Sequence, residues 1–370
     1  MHLIYLVHSL DIGGTERLVV DLVRRFRMES EVTVCCLDHA GVWGEELSRE
    51  GVPVTTIGRK PGIDVAAVWR LGKLFRRHCH VLVHCHQYPA FFYGVLGAFF
   101  APGASVLFTE HGRAYPDIVS RRRRLVNRLL VRRTARLTSV SHAVKEALVA
   151  LDGMPADRIR VIHNGIDPER YIIREDVATA QRMALGVGRG ELVVGTLGRL
   201  DPVKDHLTLL RAFAQVRAAV PEARLLIAGD GETRSSLEEA VQSLHLGKAV
   251  SLLGFRTDVS QLLAAFDVFV LPSRNESMPV TVLEAMAAGL PVVATAVGDI
   301  PKIVVNEVTA RLCQPADPDS LADVLIQLLR DSALRRRMGL AGQERLKQYF
   351  TTDRMVDDYR AIYRELVARD

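Results

Sequence analysis

The chain has few cysteines, few aromatic residues and no long apolar run. Its five cysteines form no Cys-x-x-Cys pair, which argues against a disulfide framework or a structural zinc site and favours a reducing cytoplasm. The short apolar run over residues 1–8 predicts a strand rather than a signal peptide, because no cleavage region follows it. No other stretch is apolar for long enough to span a bilayer. The sequence therefore predicts a soluble, cytoplasmic protein.

Nucleic acid is not an expected partner. Aromatic residues make up 6% of the chain, and a net charge of +5 does not by itself indicate nucleic-acid binding. Hydrophobic residues at 48% and charged residues at 25% are typical of a globular protein. A length of 370 residues exceeds the usual size of one hydrophobic core and predicts about two domains.

Two common nucleotide-binding motifs are also missing. Neither Gly-x-Gly-x-x-Gly nor Gly-x4-Gly-Lys-Ser/Thr follows the first predicted strand, which weakens the case for a nicotinamide dehydrogenase or a P-loop ATPase. Instead, Gly13-Gly14-Thr15-Glu16 opens an amphipathic helical pattern. Glycine there lets the backbone approach a ligand closely, although a Gly-Gly turn alone is weak evidence.

Short apolar runs alternate with amphipathic helical patterns along the chain, which predicts parallel α/β sheets. Residues 167–190 contain glycines but no strong apolar period and predict a linker. We therefore expect two Rossmann-like domains, residues 1–170 and 171–352, facing a central cleft. The predicted strands are 3–7, 32–37, 54–57, 81–84, 106–109, 137–140, 160–162, 192–197, 224–228, 250–253, 268–271 and 292–294.

The most informative segment joins a strand to a helix. An apolar strand ends at Leu271, the loop after it carries Glu276, and a helix that begins at Pro279 carries Glu284. In open parallel sheets, ligands bind beyond the carboxyl ends of strands, where free helix N–H groups hold anions. Two glutamates alone are more often solvated surface, so their interpretation as a ligand site depends on companion residues.

Companion residues follow other strands of the second half. A glycine turn at Gly198 and two cations, Arg199 and Lys204, precede a helix. Cations beside a helix N-terminus suit a diphosphate, and the alternative is a pair of surface cations. A further turn at Gly229 and Gly231 also follows a strand, where a plain tight turn is an equally good interpretation.

Histidines and cysteines flank the predicted strand 81–84, in His78-Cys79-His80 and His84-Cys85-His86. All six side chains are of types that bind transition metals. Alternation along a strand places His84 and His86 on one face and Cys85 on the other, so the six do not converge easily on one ion. We expect no metal site here, and interpret the segment as a buried strand whose end, at His86, opens toward the cleft.

Residues 121–136 combine eight arginines with apolar residues at helical spacing. Such a basic amphipathic helix, which opens with Arg121, Arg122, Arg123 and Arg124, can rest on anionic lipid, each surface cation contributing about 1 kcal/mol. An equally weighted alternative is a solvated face whose apolar side belongs to the core.

In their order and spacing, these motifs resemble retaining glycosyltransferases of family four, which have the GT-B fold. The resemblance covers nearly the whole chain. Its pieces are Gly13-Gly14-x-Glu16, Glu110-His111-Gly112, Ser139-Val-Ser141, His163-Asn164-Gly165-Ile-Asp167, Gly198-Arg199 with Lys204, Ala228-Gly229-Asp-Gly231 and Glu276-x7-Glu284.

The resemblance implies that the second domain holds a nucleotide-diphosphate sugar, with UDP favoured over GDP. It implies that Arg199 and Lys204 neutralise the diphosphate leaving group. Glu284 would bind the nucleotide ribose, Glu276 the donor-sugar hydroxyls, and His111 the transferred sugar. The remaining donor-side residues are Gly14, Gly198, Gly229, Met278, Val280 and Thr281.

The resemblance further implies that the first domain, completed by a C-terminal helix at 353–370 that crosses back to it, binds the acceptor. Gly13, Glu16 and His86 are the implied acceptor-side residues, together with the arginines 121–124 or the membrane surface they contact. No cofactor, metal or protein nucleophile is implied, because the two cations and the helix dipole would stabilise the leaving group.

Two segments depart from the family pattern. The family often has Glu-Gly-Phe-Gly where this chain has Glu276-Ser-Met-Pro279, and proline has no N–H to offer a donor oxygen. A later Gly-Gly-x-x-Glu is replaced here by Gly298-Asp-Ile-Pro-Lys302, which exchanges an acid for a base. The first departure affects which donor sugar is expected. The second changes the charge of the pocket or, as the alternative, lies on the surface.

The function expected from the resemblance is transfer, with retention, of a hexosyl or N-acetylhexosaminyl group to a glycan or lipid-linked acceptor in bacterial envelope or exopolysaccharide synthesis. The expected location is the cytoplasm, or the inner face of the membrane. A nucleotide-sugar epimerase of the same general fold and a non-catalytic nucleotide-sugar-binding protein are the alternatives. The glutamate pair favours transfer over epimerisation.

Overall fold

Two parallel sheets organise the computed structural model, which describes residues 2–112 and 119–368. The chain divides into two units, one formed by Met1–Gly165 with Thr352–Asp370 and the other by Ile166–Thr351. Central strands such as Val81–His86 and Val268–Leu271 are buried along their whole length. Burial on both faces explains why Val268–Leu271 is a continuous apolar run rather than an alternating one.

The sheet of the first unit has seven strands in the order β3-β2-β1-β4-β5-β6-β7. They are β1 (His2–Val7), β2 (Glu31–Cys36), β3 (Val54–Thr56), β4 (Val81–His86), β5 (Ala104–Glu110), β6 (Arg136–Ser139) and β7 (Ile159–Val161). The helices are α1 (Gly14–Phe26), α2 (Gly41–Arg49), α3 (Val65–Phe75), α4 (Gln87–Ala98), α5 (Arg121–Arg133), α6 (His142–Ala150) and, at the end of the chain, α15 (Thr352–Val367). Strand order reverses between β1 and β4, and the loops after these neighbours therefore meet at one edge.

The second unit repeats this plan with six strands in the order β10-β9-β8-β11-β12-β13. They are β8 (Leu192–Leu197), β9 (Ala223–Ala228), β10 (Val250–Gly254), β11 (Val268–Leu271), β12 (Val292–Thr295) and β13 (Ala310–Cys313). The helices are α7 (Glu175–Ala184), α8 (His206–Ala219), α9 (Arg234–Ser243), α10 (Val259–Ala264), α11 (Val280–Ala287), α12 (Ile300–Ile303), α13 (Pro318–Arg330) and α14 (Ser332–Tyr349). Here the order reverses between β8 and β11.

All twelve predicted strands are present, but one expectation about the second half is wrong and one of its strands was not predicted. Residues 167–190 are not a structureless linker, because they contain a 3-10 helix at Pro168–Tyr171 and the helix α7, which packs on α10. No residue of α7 is fully buried, which explains its weak apolar period. The four-residue strand β13, which includes Arg311, was not predicted.

The helix α15 completes the first unit through two buried tyrosines. The Tyr363 hydroxyl lies 3.1 Å from the Tyr5 hydroxyl and 2.7 Å from His84 Nδ1. The Tyr359 hydroxyl lies 3.2 Å from the Thr109 hydroxyl. Residues 369–370 of the predicted terminal helix lie outside the described residues.

Candidate functional site

Two loops of the second unit carry the predicted cations and carboxylates, and they follow neighbouring strands. After β8, the chain turns through Gly198 into a 3-10 helix at Pro202–Lys204, where the Asp201 side chain accepts a hydrogen bond from the Lys204 N–H. After β11 comes the loop that carries Glu276. Because β8 and β11 pair in parallel, their carboxyl ends place the two loops side by side.

Lys204 and Glu276 form the central contact between these loops. The Lys204 Nζ lies 2.5 Å from Glu276 Oε1, and the Ser273 hydroxyl donates to the same oxygen at 2.7 Å. The two charged side chains are only 19% and 8% exposed. An ion pair so poorly hydrated is stable only with good geometry and additional hydrogen bonds, which Ser273 provides.

A second ion pair connects the same two loops. Arg274 Nε donates to Asp205 Oδ2 at 2.9 Å, and the Arg274 N–H donates to the carbonyl of Val203 at 2.7 Å. Asp205 has a positive φ of 48°, a conformation that costs energy for a residue with a side chain and that occurs where surrounding contacts impose it. The position of Lys204 is therefore held from both sides.

Two glycines of this region permit close approaches between backbones. Gly298 has φ +54°, and a Cβ there would collide with the carbonyl oxygen of Glu276. Gly229 has φ +151°, and a Cβ there would collide with the carbonyl oxygen of Gly198. The Gly229 turn is thus required by its contact with the Gly198 turn, which places these predicted donor-side glycines together.

The helix α11 carries the second predicted glutamate. Glu284 Oε1 accepts a hydrogen bond from the Tyr171 hydroxyl at 2.7 Å. The helix begins at Val280 and Thr281, as expected for residues that offer backbone N–H groups, and Pro279 is its N-cap rather than its first residue. Met278 is buried, so its side chain packs inside the unit.

Arg199 lies on the same loop as Lys204 but stands in solvent. Its side chain is 83% exposed and contacts Asp201 Oδ2 at 3.0 Å. Lys302, the cation that replaces an acid of the family pattern, is half-exposed and pairs with Asp299 at 3.3 Å. The structure joins Lys204 to Glu276, whereas the ion-pair partner of Arg199 is Asp201.

In the first unit, a small pocket lies where the loops after β1 and β4 meet. His8, Ser9, Glu16 and His86 are among the residues that line it. Gly13 is the N-cap of α1, and the Glu16 carboxylate folds back into the space that a Cβ on Gly13 would need. The predicted acceptor-side residues Gly13, Glu16 and His86 thus belong to one edge of this sheet.

His111 follows β5 directly and contacts the end of β4. Its Nε2 lies 2.8 Å from the Nδ1 of His86, and both rings are buried. Burial lowers the pKa of His111 to about 3, and burial together with the neighbouring His84 and His111 lowers the pKa of His86 well below its ordinary value. Both rings are therefore neutral at pH 7.

The basic helix is α5, and it ends at Arg133 rather than at Arg136, which begins β6. Asn127, Leu130 and Val131 are buried, but Leu125 and Leu129 are 63% and 59% exposed. The helix therefore has one apolar side in the core and two leucines outside it.

Of the four leading arginines, Arg123 is held within the unit. It lies over the ring of Tyr88 at 3.6 Å and pairs with Asp152 at 3.0 Å. Arg121, Arg122 and Arg124 are exposed.

Three contacts of these sites were not foreseen. Ser273 gave a local signal, since it follows β11 directly at the edge where ligands bind. The pairing of Arg274 with Asp205 and of Tyr171 with Glu284 had no such signal, because the partners are 69 and 113 residues apart.

Among residues 2–112 and 119–368, no group of three or more His, Cys, Asp or Glu side chains is arranged to hold a metal ion. His84 and His86 share a face, with ring centroids 4.0 Å apart, as strand alternation predicted. Within the same residues, none of the helices combines the length and apolar character needed to span a bilayer.

Two family profiles together match most of the chain. The profile described as Glycosyltransferase Family 4 matches residues 12–170, and the profile described as Glycosyl transferases group 1 matches residues 178–345. The two matches divide the chain near the boundary between the two units.

Individual relatives agree with these profiles. The N-acetyl-alpha-D-glucosaminyl L-malate synthase of Bacillus anthracis is 33% identical over 63% of this chain and 60% of its own length. The UDP-Gal:alpha-D-GlcNAc-diphosphoundecaprenol alpha-1,3-galactosyltransferase of Escherichia coli is 29% identical over 82% of this chain and 80% of its own length.

A solved structure covers both units. HepE of Anabaena in complex with UDP-glucose is 25% identical, covers 99% of this chain and 100% of its own, and superposes with a TM-score of 0.86. The predicted fold is thereby confirmed.

Proposed function

Because the chain belongs to glycosyltransferase family 4, the glycosyl transferases group 1, and has the GT-B fold, we propose that it transfers a sugar from a nucleotide-diphosphate sugar to a glycan or lipid-linked acceptor. The observation that carries this proposal is the contact of Lys204 with Glu276 beside the start of α11. Lys204 supplies a cation for the diphosphate, Glu276 supplies a carboxylate for sugar hydroxyls, and the start of α11 supplies backbone N–H groups for anionic oxygens.

Lys204 and Arg199 neutralise the departing nucleoside diphosphate in this proposal. The charge on the leaving oxygen grows as the glycosidic bond breaks, so fixed cations stabilise the transition state more than the ground state. Lys204 is held by its ion pair with Glu276 and by the pair of its neighbour Asp205 with Arg274, which suits this role, and the exposed Arg199 can turn toward the phosphates. Reaction with retention proceeds without a protein nucleophile or a metal ion.

Glu284 binds the ribose and Glu276 binds donor-sugar hydroxyls. Tyr171 orients the Glu284 carboxylate through its hydrogen bond. The backbone N–H groups of Val280 and Thr281 bind the phosphates in this proposal, and Gly198 leaves room for the nucleotide, while Gly229 allows the two glycine turns to approach each other.

The proposed donor is a UDP-hexose or UDP-N-acetylhexosamine. The name of the Escherichia coli relative specifies UDP-galactose, and the Anabaena structure contains UDP-glucose. Pro279 offers no N–H at the loop that holds Glu276, so selectivity among donor sugars is assigned to residues 277–279.

The first unit binds the acceptor through the pocket beside Gly13, Glu16 and His86, while Gly14 faces the donor phosphates and His111 contacts the transferred sugar. A lipid-linked acceptor is supported by the name of the Escherichia coli relative, whose substrate is a diphosphoundecaprenol. The lipid-linked acceptor sits in a membrane, which the enzyme reaches as a peripheral protein of the inner face. Envelope or exopolysaccharide synthesis is the proposed setting.

The helix α5 supplies the membrane contact. Leu125 and Leu129 lie four residues apart on one side of the helix, exposed, with Arg121 and Arg122 one turn before them. Exposed leucines flanked by arginines suit the boundary between anionic headgroups and acyl chains.

A panel of UDP-, GDP- and ADP-sugars tests the proposed function. We expect UDP-sugars to raise the melting temperature and to undergo slow hydrolysis to free sugar, because water replaces the acceptor. A new nucleotide sugar as product would indicate an epimerase. Stabilisation without turnover, also in the presence of lipid-linked acceptors, would indicate a binding protein, and no stabilisation by any nucleotide sugar would contradict the proposal.

A further inference from the structure

Two buried histidines of the first unit face each other at hydrogen-bond distance. His86 Nδ1 lies 2.8 Å from His111 Nε2, and the ring planes are inclined by 30°. His86 ends β4 and His111 follows β5, the neighbouring strand of the sheet. The register of two paired strands therefore creates this contact.

The outer nitrogen of each ring is buried and has no hydrogen-bond partner among residues 2–112 and 119–368. These atoms are His86 Nε2 and His111 Nδ1. Because buried polar atoms nearly always have a partner, two such atoms on linked rings point to ligand groups that complete them. His86 also lines the pocket between the loops after β1 and β4.

The surrounding rings hold His86 in place. Its ring lies against that of His84, with centroids 4.0 Å apart and planes inclined by 37°, and stacks on Tyr5 at 5.8 Å. His84 is itself fixed, since its two nitrogens contact the hydroxyls of Tyr363 and Thr109, each at 2.7 Å. His86 therefore cannot rotate away from His111 without disturbing the packing of α15.

The shared hydrogen bond couples the tautomers of the two rings. Each neutral imidazole carries one proton, and the bridge between the rings holds one of the two. If the bridging proton is on His86 Nδ1, the proton of His111 is on its Nδ1; if it is on His111 Nε2, the proton of His86 is on its Nε2. The two rings are thus both Nδ1–H or both Nε2–H, since any other combination opposes two N–H groups or two lone pairs.

We propose that His86 is a positioning residue that decides whether His111 presents a hydrogen-bond donor or an acceptor to the transferred sugar. This inference rests on the proposed function, which assigns His111 to that sugar. When His111 donates from Nδ1, His86 Nε2 becomes an acceptor for a hydroxyl in the pocket beside Glu16. The pair therefore binds two hydroxyl-bearing groups, one at each end, with opposite hydrogen-bond polarity.

Nitrogen NMR of the protein alone tests the coupling independently of any activity. In ¹⁵N-histidine-labelled protein at pH 7, we expect His86 and His111 to be neutral and to share the same tautomer, either in one form or in matched exchange. Different tautomers in the two rings, or a positive charge on either, would overturn the proposal even if the protein proves to be a transferase.

Variants of His86 test the effect on the reaction. Asparagine places an amide near the position of Nδ1 and keeps a hydrogen bond to His111, whereas leucine has similar size and no polar atom. We expect His86→Leu to lower kcat by about 10- to 100-fold, the effect of one lost hydrogen bond to a buried partner, and His86→Asn to restore most of that loss. Equal activity of the two variants would show that His86 only fills space.

A control separates this effect from general loosening of the network. Tyr363→Phe removes hydrogen bonds to Tyr5 and His84 but leaves the contact of His86 with His111. It should lower the melting temperature and leave kcat within about twofold of wild type, because the linked rings are intact. A loss of kcat as large as that of His86→Leu would contradict the assignment.

Discussion

The ammonium group of Lys204 lies 2.5 Å from a carboxylate oxygen of Glu276, so the cation assigned to the diphosphate contacts the carboxylate assigned to the sugar. Both groups are mostly buried, and Ser273 completes the hydrogen bonding of the same oxygen. A diphosphate that enters this site offers Lys204 more negative charge than one carboxylate does. Donor binding is therefore expected to draw Lys204 from Glu276 and to free that carboxylate for sugar hydroxyls.

Replacement of Lys204 by alanine should abolish most donor turnover. We expect kcat/KM to fall at least about 100-fold, the scale of losing one charged stabiliser of a leaving group. The matched control is Lys347→Ala, which breaks a lysine–glutamate pair that is exposed in both partners and should change activity less than about twofold. Full activity of Lys204→Ala with an intact fold would remove its assigned role.

Glu284→Ala should weaken donor binding more than it slows transfer. A ribose contact is made equally in ground and transition states, so KM for the donor should rise about tenfold while kcat stays within about threefold. Tyr171→Phe, which removes the hydrogen bond to Glu284 but keeps the carboxylate, should show a smaller rise in KM. Steady-state kinetics with varied donor separates the two parameters, and a fall in kcat alone would contradict the ribose assignment.

Gly298→Ala should destabilise the second unit and displace the loop that holds Glu276. The new Cβ would meet the Glu276 carbonyl oxygen, and the positive φ alone costs about 1–2 kcal/mol for an alanine. We expect a lower free energy of unfolding in urea and a lower kcat. Gly247→Ala is the control, because a Cβ there meets no atom within 4 Å. Equal behaviour of the two variants would show that Gly298 does not position this loop.

Acid should destabilise the first unit below about pH 6.5. Burial lowers the pKa of His84, His86 and His111, the last to about 3, so the folded unit does not take up protons that the unfolded chain binds below its ordinary histidine pKa near 6.5.

The sign of the effect follows from this difference. Above pH 6.5 these three histidines are neutral in both the folded and the unfolded state, so they do not make the free energy of unfolding depend on pH. Below pH 6.5 each histidine lowers the free energy of unfolding by about 1.4 kcal/mol per pH unit, until the pH reaches its pKa in the folded state. Urea unfolding followed by the fluorescence of Trp43 and Trp69, both in this unit, measures the slope. His84→Gln should reduce the slope by one proton, and an unchanged slope would contradict the prediction.

Vesicle binding tests the membrane contact of α5. Wild-type protein should sediment with phosphatidylglycerol vesicles, and Arg121→Gln with Arg122→Gln should weaken binding by about 10-fold or more, at about 1 kcal/mol for each cation. The control, Arg336→Gln with Arg337→Gln, removes two exposed arginines from the second unit and should bind like wild type. If wild type does not bind, the exposed face of α5 is a solvated surface.

Local sequence patterns were sufficient to predict most elements of the fold. Apolar runs between glycines and prolines predicted twelve strands, because a strand buried on both faces requires such a run whatever its neighbours are. Prediction failed at the surface helix α7, none of whose residues is buried, and at the edge strand β13. A helix with little buried surface shows little apolar periodicity in its sequence.

In the candidate site too, part was predictable from the sequence and part was not. The local pattern of the sequence predicted Lys204, Glu276 and Glu284 as ligand-binding residues, because they lie in loops after strands or in the helix that follows, and the family resemblance added His111. It also placed His84 and His86 on one face of a strand, since side chains alternate along a strand.

Only the tertiary structure decided which of these residues meet. Lys204 and Glu276 are 72 residues apart, and they touch because β8 lies beside β11 in the sheet. His86 and His111 touch because β4 lies beside β5. Residue type and local spacing determined which groups stand at strand ends, whereas the order and register of the strands determined the partners, since neither follows from the hydrogen-bonding capacity of any single strand.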